Sequence, residues 1–156
     1  MATGSMEVEA AIRELVRESF PKIQEIRFEI SLAASETGIA EMHFDRANRV
    51  ASVWIDPVDL KQMSRRELVG CLAHELCHVE RDWRRAWMTP AFDWLYWSFP
   101  WMMSWEERSV DREAVRKGYG SELLAILAYH DRNYVKYDRE DGLTADEIRC
   151  EMKRLS

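Results

Sequence analysis

The hydrophobic pattern of the sequence changes at Asp56-Pro57 from alternating to helical, and this change constrains the fold more than any other feature. Before it, apolar residues recur at helical spacing from Glu7 to Ser19 and then alternate with polar residues in three short segments. After it, helical spacing continues to the last residue. We therefore predict an α+β fold with an N-terminal backing helix, a small three-stranded, mainly antiparallel sheet, and then a series of helices.

The boundaries of these elements follow from the alternation and from the capping residues. Strands joined by short connections are predicted at 26–32, 40–44 and 50–55. Helices are predicted at about 64–82, 104–117, 121–134 and 144–155. A Ser or Thr followed three residues later by Glu, the pattern of a capping box, marks three helix starts, at Ser64, Ser104 and Thr144. Gly118 and Gly120 are expected at a helix end and the following turn, and residues 1–6 receive no structural role.

Length and composition exclude several classes of protein. The 156 residues suit one domain with a single core. A net charge of −6 repels nucleic acid, so no nucleic-acid partner is expected. The three cysteines cannot form a closed set of disulfides, which favours a reduced, cytoplasmic location with Cys71 as a small buried side chain. No stretch reaches the roughly 20 apolar residues of a transmembrane helix.

An HExxH motif occupies residues 74–78, inside the first long helix after the sheet. Residues four apart lie on one helix face about one turn apart, so the imidazoles of His74 and His78 can bind one metal ion. Glu75 is displaced around the helix, where it can act as a general base on metal-bound water. The metzincin motif requires glycine and histidine where this chain has Arg81 and Arg84, which leaves a carboxylate from another helix as the third ligand. The alternative is a structural helix with two surface histidines.

The best candidate for the third ligand is Glu107, which begins an E-x-x-x-D pattern on the next capped helix. This spacing places Glu107 and Asp111 on one face. One carboxylate can bind the metal while Asp111 accepts the spare ring N–H of a ligating histidine. Glu106 and Glu113 lie on other faces and remain competitors, and a solvated charged face is the alternative explanation of the cluster.

HExxH followed about thirty residues later by a helix bearing E-x-x-x-D resembles the gluzincin class of zinc peptidases. The order of backing helix, sheet, motif helix and glutamate helix resembles the minimal single-domain members, the minigluzincins, over roughly residues 7–134. The resemblance implies that His74, His78 and Glu107 bind Zn²⁺. It also implies that Glu75 is the general base and acid and that Asp111 supports a ligand from behind. The expected protein is a zinc-dependent endopeptidase of one domain, 7–156, acting on a peptide or protein substrate.

Two further properties of the family remain open in this chain. Gluzincins usually add a Tyr or His that stabilises the oxyanion of the reaction. We single out Tyr119 and His130 among five candidates, the others being Tyr129, Tyr134 and Tyr137. Minigluzincins also resemble zymogens in which a C-terminal segment occupies the cleft. A regulatory segment at about 136–156 is therefore expected, and removal of the residues after about 140 should raise peptidase activity.

Six of the seven tryptophans lie between Trp83 and Trp105, in an aromatic-rich insertion at about 83–104. Three interpretations compete: a hairpin packed on the core, a hydrophobic wall that binds a substrate or protein partner, and a foot that contacts a membrane interface. The second and third lead to an alternative function. In that case the protein is a catalytically silent, zinc-stabilised scaffold whose tryptophan-rich surface binds a partner or a membrane.

Overall fold

The helices and strands of the computed structural model confirm the predicted α+β fold. The structure describes residues 2–33, 39–85, 100–133 and 142–156. Helix α1 and a short 3-10 turn precede the strands, at Ala2–Ser19 and Pro21–Ile23. The strands are β1 (Arg27–Leu32), β2 (Ala40–Asp45) and β3 (Val50–Ile55). The later helices are α2 (Pro57–Gln62), α3 (Arg65–Arg84), α4 (Pro100–Ala114), α5 (Gly120–Asn133) and α6 (Ala145–Leu155), and a π-helical turn, Val115–Tyr119, joins α4 to α5.

The sheet is mixed, with β3 between β1 and β2. Strand β3 runs antiparallel to β2 and parallel to β1, where Arg27 lies opposite Val50 and Leu32 opposite Ile55. The prediction of a mainly antiparallel sheet is therefore wrong for one of the two pairings. Alternation of apolar and polar residues determines which face of a strand is buried, but it carries no information about which strand lies alongside.

The main hydrophobic core is formed by α1, the sheet and α3, and it extends to residues of α4, α5 and α6. An apolar stripe on α3, the leucine stripe, consists of Leu68, Leu72 and Leu76. Each of these leucines has at most 2% of its surface exposed. Phe20 and Ile23 from the turn after α1, and Val53 and Ile55 from β3, are fully buried in the same cluster. Burial of the leucine stripe fixes the rotation of α3 about its axis, because a helix with one apolar face has one way to bury it.

Two of the three predicted helix caps are confirmed. The side chains of Ser64 and Thr144 each accept a hydrogen bond from the backbone N–H three residues later. The side chain of the glutamate at that position accepts a hydrogen bond from the backbone N–H of the cap residue. The prediction of a helix cap at Ser104 is wrong, because α4 begins at Pro100 and Ser104 lies inside this helix. Gly118 has a φ of 97° between α4 and α5, as expected of a glycine that ends a helix.

The N-terminal residues and one close helix contact add to the predicted picture. Helix α1 already begins at Ala2, so residues 2–6, which received no structural role, are helical. At Gly70 the backbone of α5 approaches α3 so closely that an added Cβ would lie 2.2 Å from the carbonyl oxygen of Glu122. In the described ranges, no helix combines the length and the apolarity needed to cross a bilayer.

The cysteines are free thiols, and the tryptophan-rich insertion is only partly described. Burial raises the pKa of the Cys71 and Cys77 thiols, whereas Cys150 is exposed. Residues 86–99 of the insertion lie outside the described residues. At its ends, Trp83 packs edge-on against Phe44, and the side chains of Trp101 and Trp105 are 63% and 48% exposed.

Candidate metal centre

Helix α3 places the two histidines of the HExxH motif side by side. Because the leucine stripe faces the core, His74 and His78 lie half-buried on a different side of the helix. Their ring centroids are 5.0 Å apart, and the two Nε2 atoms approach to 3.3 Å. The helical spacing therefore brings together two imidazole nitrogens, as predicted.

Glu107 on α4 completes the group. Its Oε2 lies 3.1 Å from His74 Nε2, and its Oε1 lies 3.3 Å from His78 Nε2. Ligand atoms from these three residues all lie within 4.8 Å of one another, so the cluster could hold a metal ion. Two imidazole nitrogens and a carboxylate oxygen are the donor set of catalytic zinc sites of the thermolysin type.

The distances between these donor atoms fit zinc. Tetrahedral Zn–N and Zn–O bonds of about 2.0–2.1 Å place neighbouring ligand atoms about 3.3 Å apart. The separations observed between the Nε2 atoms and the carboxylate oxygens are 3.1, 3.3 and 3.3 Å. Each of these separations is therefore close to the edge length of a zinc tetrahedron, and the two that involve Glu107 end on different oxygens, Oε2 for His74 and Oε1 for His78.

Asp111 determines which ring nitrogen of His74 is available. The aspartate is 3% exposed, and its Oδ1 lies 2.9 Å from His74 Nδ1. An ionised carboxylate only accepts hydrogen bonds, so His74 must carry a proton on Nδ1. In the neutral imidazole, Nε2 then carries no proton, and its lone pair points towards Glu107.

The electrostatics of the cluster favour a positive charge where the lone pairs meet. Burial opposes protonation of His74, but hydrogen bonds to Asp111 and Glu107 outweigh it and hold the pKa of His74 well above its usual value. Burial would also raise the pKa of Glu107, yet the hydrogen bonds from His74 and His78 hold that pKa well below its usual value. A metal cation satisfies the same demand as the proton, because it replaces one positive charge by another at the same point.

Glu75 occupies a different environment from Glu107. Its carboxyl is half-buried on α3, and burial raises its pKa, an effect that the nearby His74 and His78 partly oppose. The carboxyl also senses the negative charge of Glu41 on β2, which packs against α3. A carboxyl of raised pKa beside a cluster that could hold a metal ion is suited to accept and return a proton.

The structure also separates Glu107 from its two competitors. Glu106 is buried and paired with Arg81 and Arg85, at 3.1 and 3.0 Å. Glu113 is paired with Arg84. Both carboxylates therefore bind arginines between α3 and α4, whereas Glu107 faces the histidines.

The residues proposed to stabilise the oxyanion lie in different places. Tyr119 donates its hydroxyl proton to Ser19 Oγ at 2.7 Å, against α1, and would have to leave this bond to serve a substrate. His130 lies half-buried in the last turn of α5. Tyr129 is buried and donates to Asp59 Oδ1 at 2.7 Å. Two further candidates, residues 134 and 137, lie outside the described residues, and the oxyanion role stays a prediction.

Two partners of the site were not predictable from the sequence. The backbone N–H of Leu143 donates to Asp111 Oδ2 at 2.7 Å, in a buried position. Arg108, next to Glu107, donates to the carbonyl oxygen of Gly142 at 3.1 Å and pairs with Glu147. A backbone donor has no signature in a sequence, and the Arg108 pair joins residues that are far apart in the chain.

The described site thus combines three candidate ligand atoms, a carboxyl beside them on α3 and a buried carboxylate behind His74. These features come from two helices, α3 and α4, that the arginine pairs of Glu106 and Glu113 link. Comparison with protein-family models, with curated proteins and with solved structures gave no match, so the geometry of the site alone supports a function.

Proposed function

We propose that the protein is a zinc-dependent endopeptidase of the gluzincin type. The observation that carries the proposal is the convergence of His74, His78 and Glu107 at zinc-like spacing, with Glu75 adjacent on the same helix. A purely structural zinc site has no use for that carboxyl, because structural sites are closed by four protein ligands. The described residues offer three ligands, and a site with three protein ligands leaves a position open for chemistry.

When bound, zinc supplies a Lewis acid for the scissile carbonyl and lowers the pKa of a water molecule to about 7. Glu75 takes the proton of the attacking water and later passes it to the leaving amine. The partial burial of Glu75 supports this role, since it raises the pKa of the carboxyl towards the pH at which proton transfer in both directions is efficient. Asp111 keeps the proton of His74 on Nδ1, so that Nε2 remains a metal ligand throughout.

A second candidate function is a zinc-stabilised scaffold that does not cleave peptides. It is favoured by the exposure of Trp101 and Trp105, at 63% and 48%, on the same helix as Glu107. Large exposed aromatic side chains are typical of protein-binding surfaces. The presence of Glu75 is the argument against this candidate.

The experiment combines metal content with a degenerate peptide mixture and the variant Glu75→Gln. Wild type should purify with one zinc per chain and cleave peptides. The variant should retain zinc and lose at least about 100-fold in kcat/KM, the usual contribution of a general base. Glu113→Gln makes the same chemical change at a carboxylate paired with Arg84, and it should cleave like wild type.

Each alternative outcome has a defined meaning. Zinc without cleavage by wild type supports the scaffold. Equal cleavage by wild type and Glu75→Gln removes Glu75 from the mechanism. A wild-type chain that binds no zinc at all refutes both functions.

A further inference from the structure

The described part of the C-terminal region, residues 142–156, contacts the candidate metal site through Asp111. We infer that this segment is a brace that positions Asp111, and through it His74, for metal binding. The inference rests on the metal-binding part of the proposed function. It opposes the expectation that the C-terminal segment is a plug whose removal activates the enzyme.

The two carboxylate oxygens of Asp111 accept hydrogen bonds from different partners. Oδ1 lies 2.9 Å from His74 Nδ1, and Oδ2 accepts the backbone N–H of Leu143 at 2.7 Å. Asp111 is 3% exposed, so the Leu143 N–H takes a position that bulk water does not reach. A carboxylate that is hydrogen-bonded at both oxygens has a fixed orientation. Through the bond to Nδ1, this orientation determines how the His74 ring is turned.

Leu143, which donates this N–H, is itself buried in the core. Leu143 and Ile148 are 2% and 0% exposed and belong to the main hydrophobic core. Arg108 donates to the carbonyl oxygen of Gly142 at 3.1 Å and to Glu147 with both terminal nitrogens. The peptide group between Gly142 and Leu143 is therefore held by the buried Leu143 side chain and by the hydrogen bond from Arg108 to its carbonyl oxygen.

Arg108, which binds the C-terminal segment, and Glu107, the candidate ligand, are neighbours in the chain. Arg108 follows Glu107 directly, so one turn of α4 contributes a metal ligand and the clamp on the C-terminal segment. Glu147 also caps α6 by binding the backbone N–H of Thr144 at 2.9 Å. Hydrogen bonds and an ion pair thus join helix α6 and residues 142–144 before it to the ligand-bearing turn of α4.

The C-terminal segment approaches His74 from the side away from the other candidate ligands. The segment reaches the site on the Nδ1 side of His74, through Asp111, whereas Glu107 and His78 lie on the Nε2 side. The contact between Leu143 and Asp111 is therefore behind the ligand histidine and not in front of the donor atoms. Loosening this contact should weaken metal binding.

The decisive experiment removes the Leu143 N–H in the full-length chain. Leu143→Pro removes both the N–H and the leucine side chain, whereas Leu143→Ala keeps the N–H and removes only the side chain. Zinc affinity is measured by competition with a chromophoric chelator, and the visible spectrum of bound Co²⁺ reports the ligand geometry. We expect zinc affinity at least about tenfold lower in Leu143→Pro than in Leu143→Ala, because partners that orient a metal ligand contribute 10–100-fold.

A second pair of variants keeps the test decisive if Leu143→Pro does not fold. Arg108→Ala removes the side chain that binds Gly142 and Glu147, whereas Arg108→Lys retains the charge and one donor nitrogen in place of two. Zinc affinity should fall several-fold in Arg108→Ala and should be partly restored in Arg108→Lys. Restoration by the conservative variant separates positioning from a general loss of stability.

The outcomes distinguish this inference from the proposed function. Equal zinc affinity in Leu143→Pro and Leu143→Ala, or in Arg108→Ala and wild type, overturns the brace and leaves the metal site standing. Higher peptidase activity in Arg108→Ala also overturns it, in favour of the plug. If wild type binds zinc but cleaves nothing, the peptidase proposal fails while the affinity measurements still decide the brace. Absence of zinc binding in wild type overturns both.

Discussion

Replacing Asp111 by asparagine tests the logic of the site with the smallest change of shape. The carboxylate accepts a hydrogen bond from His74 Nδ1–H and another from the Leu143 N–H. An amide offers one oxygen and one NH₂ group, so one of these two donors must face another donor. If the NH₂ faces His74, the imidazole carries its proton on Nε2, where the metal should bind.

The expected size of the effect follows from the burial of Asp111. At 3% exposure, water cannot replace a lost partner, and a hydrogen bond to a charged group contributes about 1.5–3 kcal/mol. At about 1.4 kcal/mol for each factor of ten, Asp111→Asn should lower zinc affinity by about 10–100-fold. The range agrees with the usual effect of removing a carboxylate behind a metal-binding histidine.

The assay is competition for zinc with a chromophoric chelator at pH 7, with far-UV circular dichroism as the check of folding. Glu113→Gln is the matched control, because it makes the same carboxylate-to-amide change on α4, at a residue paired with Arg84. A folded Asp111→Asn variant with zinc affinity within about twofold of wild type would refute the assigned role of Asp111.

Three other predictions concern the fold around the site. Gly70→Ala places a Cβ 2.2 Å from the Glu122 carbonyl oxygen and should cost about 1–3 kcal/mol in urea unfolding, whereas Gly4→Ala meets mainly flexible leucine side chains and should cost less; equal losses would contradict the close α3–α5 approach. An arginine partner lowers the pKa of Glu147 to about 2 from its ordinary 4.5, so the charged form stabilises the fold above about pH 4.5 and that contribution is lost as the pH falls through about 2. The stability gap between wild type and Glu147→Gln should therefore shrink on acidification, and a constant gap from pH 6 to 2 would argue against the pair. Finally, a thiol reagent should label Cys150 rapidly and the two buried cysteines only on unfolding, and rapid labelling of more than one thiol per native chain would contradict their burial.

The parts of the fold that local chemistry determines were predictable. The caps at Ser64 and Thr144 and the leucine stripe of α3 depend on residues within a few positions of one another. The false cap at Ser104 shows the limit of this reasoning. Ser-x-x-Glu is compatible with the interior of a helix, and α4 instead begins at Pro100, since proline is favoured in the first turn.

Long-range pairing was not predictable in the same way. The order of the strands depends on which neighbour completes the core, and the alternation within each strand is the same for a parallel and an antiparallel partner. At the site, the i, i+4 spacings of the two histidines and of Glu107 and Asp111 predicted which atoms meet. The hydrogen bond from the Leu143 N–H could not be predicted from the sequence, because every residue except proline has such a donor.

The central position of β3 has a consequence for the order of events during synthesis. Of the three described strands, β1 and β2 are not neighbours, so a nascent chain that ends after β2 contains no pair of strands that are adjacent in the finished sheet. Both pairings must wait until β3 has emerged, and the parallel one closes a long loop. Helix α3 follows β3 after only a short helix, and it packs on the same sheet. The sheet and the helix that carries both histidines are thus expected to form together, late, in a single cooperative step.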